Sequence, residues 1–499
     1  MTTIPDVVIV GAGSAGAVLA ARLAATGREV VVLEAGPDYR AHELPDELRY
    51  LSQAVGWPHD WDDSVCSTRD RRLKYARGRV TGGSSTTNGG VAMRAEPPDF
   101  DAWPRGWQYD DILPYFCRLE RDVDFGGEPW HGADGPIPIV RYPRDEWAPV
   151  QHAFHDACIT LGFDACNDHN APGTTGVGAI PMNRVGRERI STLLAYLEPA
   201  RDLPNLRVRG GVHVRRLVIE HGAAVGVELV DGEIIRAGEV VLSSGVVQNP
   251  LLLWRSGIGP ADDVRALGVE PIVDLPTVGA RVTDHFVMSF ATPIDPAAAP
   301  DGAPSIQTIL RATAPGSDRL HDLQLTPWVR RHDDGRREIG ISVSVQLPVG
   351  SGSITPASTD PAAPARIAWP FTAEPENIRR MREGWRLAAE ISAASGITID
   401  AASLDAQRAL PDDELDELIL ETHTAFYHGV GTCAMGEPDD PHRVVDPECR
   451  LQGVGNVRVV DASVIPTVPR SNTNIVVIAL AERMAELMSE SSTAITSSV

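Results

Sequence analysis

Apolar residues near the N-terminus fall into two short unbroken runs, Val7-Val8-Ile9-Val10 and Val30-Val31-Val32-Leu33. Runs of this length without polar interruption predict strands buried on both faces of a parallel sheet. Between them Val18, Leu19, Ala20, Leu23 and Ala24 recur at helical spacing and stop at Gly27. The pattern predicts a βαβ unit at the start of the chain. A strand over Glu239–Leu242, a turn at Ser243-Ser244-Gly245, and a helix ending before Gly257 repeat the theme. The segment Val212–Ile219 alternates like a strand, and Val457-Arg458-Val459-Val460 is an apolar strand closing on Asp461. Ile475–Ala481 followed by Glu482-Arg483-Met484 predicts a helix, with cap-forming residues at Ser471–Asn474.

The middle of the chain is less regular. Residues 291–330 are rich in alanine and proline and show little periodicity. Strands are expected over Val343–Val349, Gly352–Thr355 and Arg366–Trp369, and helices over Glu376–Ser395 and Asp412–Thr422. Ser489–Val499 reads as a polar, frayed tail.

The turn inside the first βαβ unit is Gly11-Ala12-Gly13-Ser14-Ala15-Gly16. In that context it is a dinucleotide-binding fingerprint. Gly11 permits the tight turn, Gly13 lets the backbone approach a pyrophosphate, and Gly16 lets helix and strand pack closely. The helix N-terminus offers unpaired N–H groups to phosphate. Glu34, ending the second strand, can accept hydrogen bonds from ribose hydroxyls. The ending Glu34-Ala35-Gly36, so close to the start of a long chain, favours FAD over NAD. A second glycine-rich stretch runs from Arg77 to Gly90. It is too polar for a core strand, and Arg79, Gly83, Ser84, Asn88, Gly89 and then Val91 are candidates for cofactor contact. The alternative is a plain surface loop. Val214 is a candidate for the adenine edge.

Composition narrows the class. At 499 residues the chain is long enough for about two domains. Its 45 basic and 68 acidic side chains give a net charge of −23, which argues against nucleic acid and anionic membrane surfaces as partners. Lys74 is the single lysine, which points to a GC-rich, bacterial coding bias. The six cysteines lack paired metal spacing, so no metal site is expected and free thiols in a reducing cytoplasm are. The N-terminus has no basic segment or cleavage site of a signal peptide, and no apolar run is long enough to span a membrane.

Near the C-terminus, Tyr427-His428-Gly429-Val430-Gly431-Thr432-Cys433 and Arg470-Ser471-Asn472-Thr473-Asn474 present a histidine and an asparagine on turn-rich segments. Such a pair can take a proton from an alcohol and hold the resulting oxyanion. A buried structural histidine and a helix N-cap are the plainer readings of the two. Tyr427 is a candidate for shaping a pocket, and Trp328 and Trp369 for lining it; core packing is the plainer role for both tryptophans. His285 and His423 read as structural.

Taken together, these segments resemble the glucose–methanol–choline (GMC) family of FAD-dependent oxidoreductases. The resemblance rests on Gly11–Gly16 with Glu34, Gly82-Gly83-Ser84-Ser85 with Asn88, and Ser256-Gly257-Ile258-Gly259-Pro260. It continues through Val278-Gly279 with Asp284-His285, the His428–Cys433 run and Val459-Val460-Asp461-Ala462-Ser463. It implies a Rossmann-like FAD-binding domain (α/β) and an interwoven substrate domain (α+β) built on an antiparallel sheet. The FAD-binding domain would take 1–290, lending parts of 130–200 to the substrate domain, which occupies 291–420. Residues 421–490 would return to the FAD-binding domain with the catalytic pair, and 491–499 would form a flexible tail. The resemblance further implies an alcohol oxidase or dehydrogenase, choline dehydrogenase-like, with His428 as base toward flavin N5 and Asn472 as partner of the alkoxide. Asp461, Ala462, Asn472, Thr473 and Asn474 join the cofactor contacts. Some members attach FAD covalently through a histidine just before the asparagine of the glycine-rich loop. Thr87 stands there, so non-covalent FAD is expected. The electron acceptor would be O2 or another redox carrier, a mycofactocin-linked acceptor among them. The other readings are a hydroxynitrile lyase or photodecarboxylase that keeps FAD, or a non-catalytic flavin-binding protein.

Overall fold

A computed structural model describes residues 4–51, 59–332 and 334–496. In chain order the principal elements are β1 (Val7–Val10), α1 (Ser14–Ala25), β2 (Val30–Leu33), β3 (Leu206–Arg209), β4 (Glu239–Leu242) and α2 (Gly245–Arg255). They continue with β5 (Phe286–Ile294), β6 (Thr308–Ala312), β7 (Leu323–Arg331), β8 (Arg337–Val345), α3 (Pro375–Ser395), β9 (Val457–Val459) and α4 (Thr473–Thr496).

The unbroken apolar runs form a five-stranded parallel sheet of order β3-β2-β1-β4-β9. Every residue of β1 and β2 is buried, as strands covered on both faces require. Helix α1 packs on this sheet and against α4, so the first and last helices of the chain are neighbours. α4 runs on to Thr496, into the stretch expected as a tail; residues 497–499 lie outside the described residues.

A second, antiparallel sheet has the order Thr424–Ala425, β5, β8, β7, β6, Gly176–Ala179. Two of its strands, β6 and β7, lie in the segment expected to lack periodicity. β7 does alternate: Leu323, Leu325 and Val329 enter the core while Gln324, Thr326 and Trp328 face the other way. Pro327 hides this, because proline argues against a central strand. The register explains its tolerance: β6 pairs with Leu323–Leu325 only, so Pro327 has a paired neighbour on the β8 side alone. The sheet starts at Phe286, ahead of the expected boundary at 291, and draws in 176–179 and 424–425. The strand expected over Val343–Val349 begins earlier, at Arg337, and ends at Val345. The two long helices appear as Pro375–Ser395 and Asp412–Thr422.

Among the described residues no helix is long and apolar enough to cross a membrane. All six cysteines are free thiols. Among the described residues the fold gathers one group that spacing did not reveal, Glu120, Asp122 and His131, whose ligating atoms lie within 4.8 Å of one another. Its acids are already matched by cations. Arg94 pairs with Glu120, and Arg141 pairs with Asp122 at 2.9 Å and Asp168 at 2.8 Å. Burial alone would lower the pKa of His131, but hydrogen bonds to Asp168 and Glu120 hold its proton and push it up to about 9. Both ring nitrogens of His131 face carboxylates and those carboxylates face arginines, so the cluster forms a buried ion-pair network.

A raised histidine pKa stabilises the fold fully below its unfolded value near 6.5, and that contribution is lost as pH rises through about 9. The urea midpoint is therefore expected to fall between pH 7 and 10. His131→Ala should cost about 3 kcal/mol at pH 6.5 and flatten that slope; an unchanged slope in the variant would contradict the assignment.

Candidate active site

One cavity of ≈ 390 Å³ is bordered by the C-terminal ends of β1, β2 and β4, the N-termini of α1 and α4, and the face of the antiparallel sheet. The end of an open parallel sheet is where such folds bind ligands. Gly11 leaves β1 with φ +97°, and a Cβ there would sit 2.5 Å from the Ser243 carbonyl oxygen. Gly16 lies outside the lining; a Cβ on it would meet the Gly11 carbonyl oxygen at 2.0 Å, so it serves close packing. Gly11, Gly13, Ser14 and Ala15 line the cavity with Glu34 and Ala35. Glu34 accepts backbone N–H bonds from Ala12 at 2.9 Å and Gly36 at 2.8 Å, and burial raises its pKa to about 6.

The second glycine-rich stretch closes into a single helical turn, Ser84–Thr87, rather than an open loop. Ser85 and Thr86 turn inward to the Gly82 and Thr81 carbonyls, while Gly83, Ser84, Thr87, Asn88, Gly89 and Val91 border the cavity. Arg79 lies outside the lining, its guanidinium over the Trp61 ring. Val214 lines it beside Val212 and His213.

At the C-terminal side Asp461, Ala462, Asn472, Thr473 and Asn474 all border the cavity. The Asp461 carboxylate is committed to the protein: it accepts from Gly245 N at 2.6 Å, Asn249 Nδ2 at 2.7 Å, and Ser463 N and Oγ. It thereby fixes the start of α2 to the end of β9. Ser14 Oγ donates to Asn474 Oδ1 at 2.8 Å, so the N-termini of α1 and α4 meet.

His428 and Asn472 are brought together, with His428 Nε2 3.2 Å from Asn472 Nδ2. Tyr427 turns at φ +66° to present the histidine, and the His428 N–H donates to Asp284 Oδ1 at 2.8 Å. Asp284 also accepts from the Tyr75 hydroxyl at 2.7 Å, and Arg77 donates to the Tyr427 carbonyl.

His285 does more than structural duty. Its Nε2 lies 2.8 Å from the Pro469 carbonyl oxygen and its Nδ1 3.0 Å from His428 Nδ1. A carbonyl only accepts, so Nε2 carries the proton. Burial lowers the His285 pKa to about 4, so the ring is neutral and Nδ1 is a lone pair. His428 Nδ1 must then donate, which leaves His428 Nε2 as a lone pair facing Asn472 and the cavity. Burial, then the neighbouring His285 and Arg77, depress the His428 pKa well below the ordinary value, so this nitrogen is free at neutral pH.

Trp328 lines the cavity, as does Tyr427. Trp369 is core instead, stacked on His423 and packed against Phe286 and Phe371. The sequence reading passed over Tyr75 and Arg77 as individuals; the adjacency of Asp284 and His285 ahead of an apolar strand was the available signal.

Asp284→Ala would strand the Tyr75 hydroxyl, the His428 N–H and the Arg77 charge in a buried setting. A loss of about 3 kcal/mol in chemical denaturation is expected; a loss under 1 kcal/mol would mean that Asp284 does not organise the site.

Comparison with known proteins finds similar chains over nearly the whole length. Residues 5–287 and 348–481 match the N- and C-terminal regions of the family described as GMC oxidoreductase. An uncharacterized GMC-type oxidoreductase in the thcA 5' region of Rhodococcus erythropolis is 36% identical, over 97% of this chain and 98% of its own length. The oxygen-dependent choline dehydrogenase of Sinorhizobium fredii is 33% identical, over 96% and 95%. Among solved structures, pyridoxine 4-oxidase from Mesorbium loti superposes with a TM-score of 0.86 at 28% identity, covering 97% of this chain and 99% of that one.

Proposed function

The chain belongs to the GMC oxidoreductase family, and from that premise we propose that it is an FAD-dependent alcohol oxidase or dehydrogenase using His428 as base and Asn472 as alkoxide partner. The observation that carries the reading is the hydrogen-bonded chain Pro469–His285–His428, which leaves the lone pair of His428 Nε2 at the cavity beside the Asn472 amide.

The residues fit FAD. Gly11–Ala15 at the α1 N-terminus suit a pyrophosphate, Glu34 a ribose, and Val212–Val214 the adenine edge. Thr473 and Asn474, at the α4 N-terminus, add a second set of N–H groups with partial positive charge. Bound FAD supplies the two-electron acceptor.

The chain's own residues handle the proton. His428 Nε2 takes it from the substrate hydroxyl as the carbinol carbon gives up its hydride, and the alcohol becomes a carbonyl compound. The Asn472 amide, 3.2 Å from that nitrogen, donates to the developing alkoxide oxygen. Phe426 and His285 both pack edge-on to the His428 ring, at 4.7 Å and 5.1 Å between ring centroids, which confines the base to one orientation. The resident neutral state of His428 suits it to accept a proton rather than supply one.

FAD is held without a covalent bond in this reading. Thr87 occupies the loop position before Asn88, and no cysteine is among the described lining residues.

Anaerobic mixing of the holoenzyme with a panel of primary alcohols should bleach the oxidised flavin. His428→Ala should keep the flavin spectrum and slow the bleaching about 10³-fold. Flavin that stays oxidised with every alcohol, or a variant as fast as the parent, would sink the proposal. Acid precipitation should leave the yellow colour in the supernatant; a pellet that stays yellow after washing would show a covalent link.

A further inference from the structure

In a catalytic site a misplacement of about 1 Å can cost about 10²-fold in rate. The Asn472 side chain meets His428 and the cavity, so its place has to be set through the backbone. On the C-terminal side α4 begins at Thr473. On the N-terminal side each of the three residues from 468 to 470 is fastened. The Val468 N–H donates to Thr283 Oγ1 at 3.0 Å, and the Pro469 carbonyl accepts from His285 at 2.8 Å. Arg470, two residues ahead of the amide, is held by its side chain. Its Nε donates to Asp99 Oδ1 and its Nη1 to the Leu320 carbonyl, each at 2.8 Å. The ion pair is deep, with the Arg470 side chain 10% and the Asp99 side chain 2% exposed. The Arg470 carbonyl also accepts from Gln324 Nε2 at 3.4 Å, and Gln324 borders the cavity.

The seats of this guanidinium are braced independently of it. Asp99 lies in the helical turn Pro97–Phe100, and its Oδ2 accepts the Glu96 N–H at 2.8 Å. Glu96 pairs with Arg311 on β6 at 2.7 Å and with His321 at 2.8 Å. Asp322 pairs with Arg380 on α3 at 3.2 Å. The turn at Asp99 and the loop leading into β7 are therefore locked to each other and to the antiparallel layer. Resting on the alcohol-oxidising reading above, we propose that Arg470 is a positioning residue for that reaction: seated on Asp99 and Leu320, it fixes the reach of the Asn472 amide toward the alkoxide oxygen. Drawing the guanidinium away would leave the Asp99 carboxylate buried and unmatched, so the seat resists displacement. A neutral side chain at 470 would leave the amide to follow the start of α4 alone. A pair that only stabilised the fold would affect the rate equally with or without Asn472. A positioning residue acts only through the amide.

The experiment uses that difference. Flavin reduction is followed anaerobically at saturating alcohol, with the alcohol that bleaches the parent fastest, and flavin content and melting curves confirm that each variant is loaded and folded. Arg470→Gln and Asp99→Asn should each slow reduction about 10²-fold, and the double variant should be no slower than either alone. In the Asn472→Ala background Arg470→Gln should add less than about threefold. A full further loss in that background, or an Arg470→Gln enzyme as fast as the parent, would overturn the proposal. Should Arg470→Gln fail to fold, the nearly isosteric Asp99→Asn, with and without Asn472→Ala, decides by the same criteria. A readout without turnover is the His428 Nε2 resonance in nitrogen NMR of histidine-labelled holoenzyme, identified by its absence from His428→Ala. Asn472→Ala and Arg470→Gln should shift it in the same direction, because each takes the amide away from that nitrogen; a resonance that Arg470→Gln leaves unmoved would also overturn the proposal. If no alcohol reduces the parent flavin, the alcohol-oxidising reading fails, and the resonance alone decides whether Arg470 holds the amide.

Discussion

The meeting of α1 and α4 is the constraint on which the rest depends. These helices come from opposite ends of the chain, yet their N-termini touch through Ser14 and Asn474. Lower down, Arg22 and the Tyr196 hydroxyl both bind Glu482, each at 2.7 Å, where the carboxylate is 1% exposed. A carboxylate buried that deeply must be matched, so the two helices cannot slide apart without exposing an unpaired charge to the core. Their shared register sets two positive helix ends side by side at one cavity and suspends Asn472 at its lip. On the other flank Asp461 fastens β9 to α2. The parallel sheet is thereby closed by its last strand only after nearly the whole chain has been made.

The antiparallel layer contributes differently. It supplies the wall and, through β5, the rear of the base. Asp284 and His285 immediately precede Phe286, so the strand that anchors the substrate sheet also carries the groups that orient His428. The base is thus held between the two layers: its backbone by Asp284, its ring by His285, its reactive edge by Asn472. This division explains why the loop around His428 tolerates a left-handed Tyr427. Fixed partners on both sides of the loop offset the cost of that conformation.

The parts legible in the sequence are those governed by local physics. β1, β2 and β4 appear with the bounds their apolar runs suggest, because a strand buried on both faces needs no tertiary information to be recognised. Gly11 and Gly16 follow from backbone geometry. The partnership of His428 with Asn472 was readable as a pair, though their contact is a product of the fold. The missing parts are long-range. His285 reads as structural because its two partners, a carbonyl that accepts from it and an imidazole that donates to it, lie more than a hundred residues away. β7 was hidden by Pro327, whose unpaired side is known only from the register. Glu120, Asp122, His131 and Asp168 carry no recognisable spacing, and only the two arginines threaded among them turn a candidate metal cluster into an ion-pair network.

The chain of imidazoles also decides how the site responds to acid. The useful tautomer of His428 exists because His285 is neutral and already donates to Pro469. Protonating His285 would place an N–H on its Nδ1, facing the N–H on His428 Nδ1 at 3.0 Å. The contact survives only if the His428 proton moves to Nε2, and that nitrogen then faces the Asn472 amide as donor against donor. One proton added behind the base would therefore block the lone pair in front of it, without that proton ever residing on the reactive nitrogen. Deep burial of His285, which keeps its pKa near 4, is what protects the site from this inversion at neutral pH. The burial that looks like ordinary core packing is in this sense part of the base.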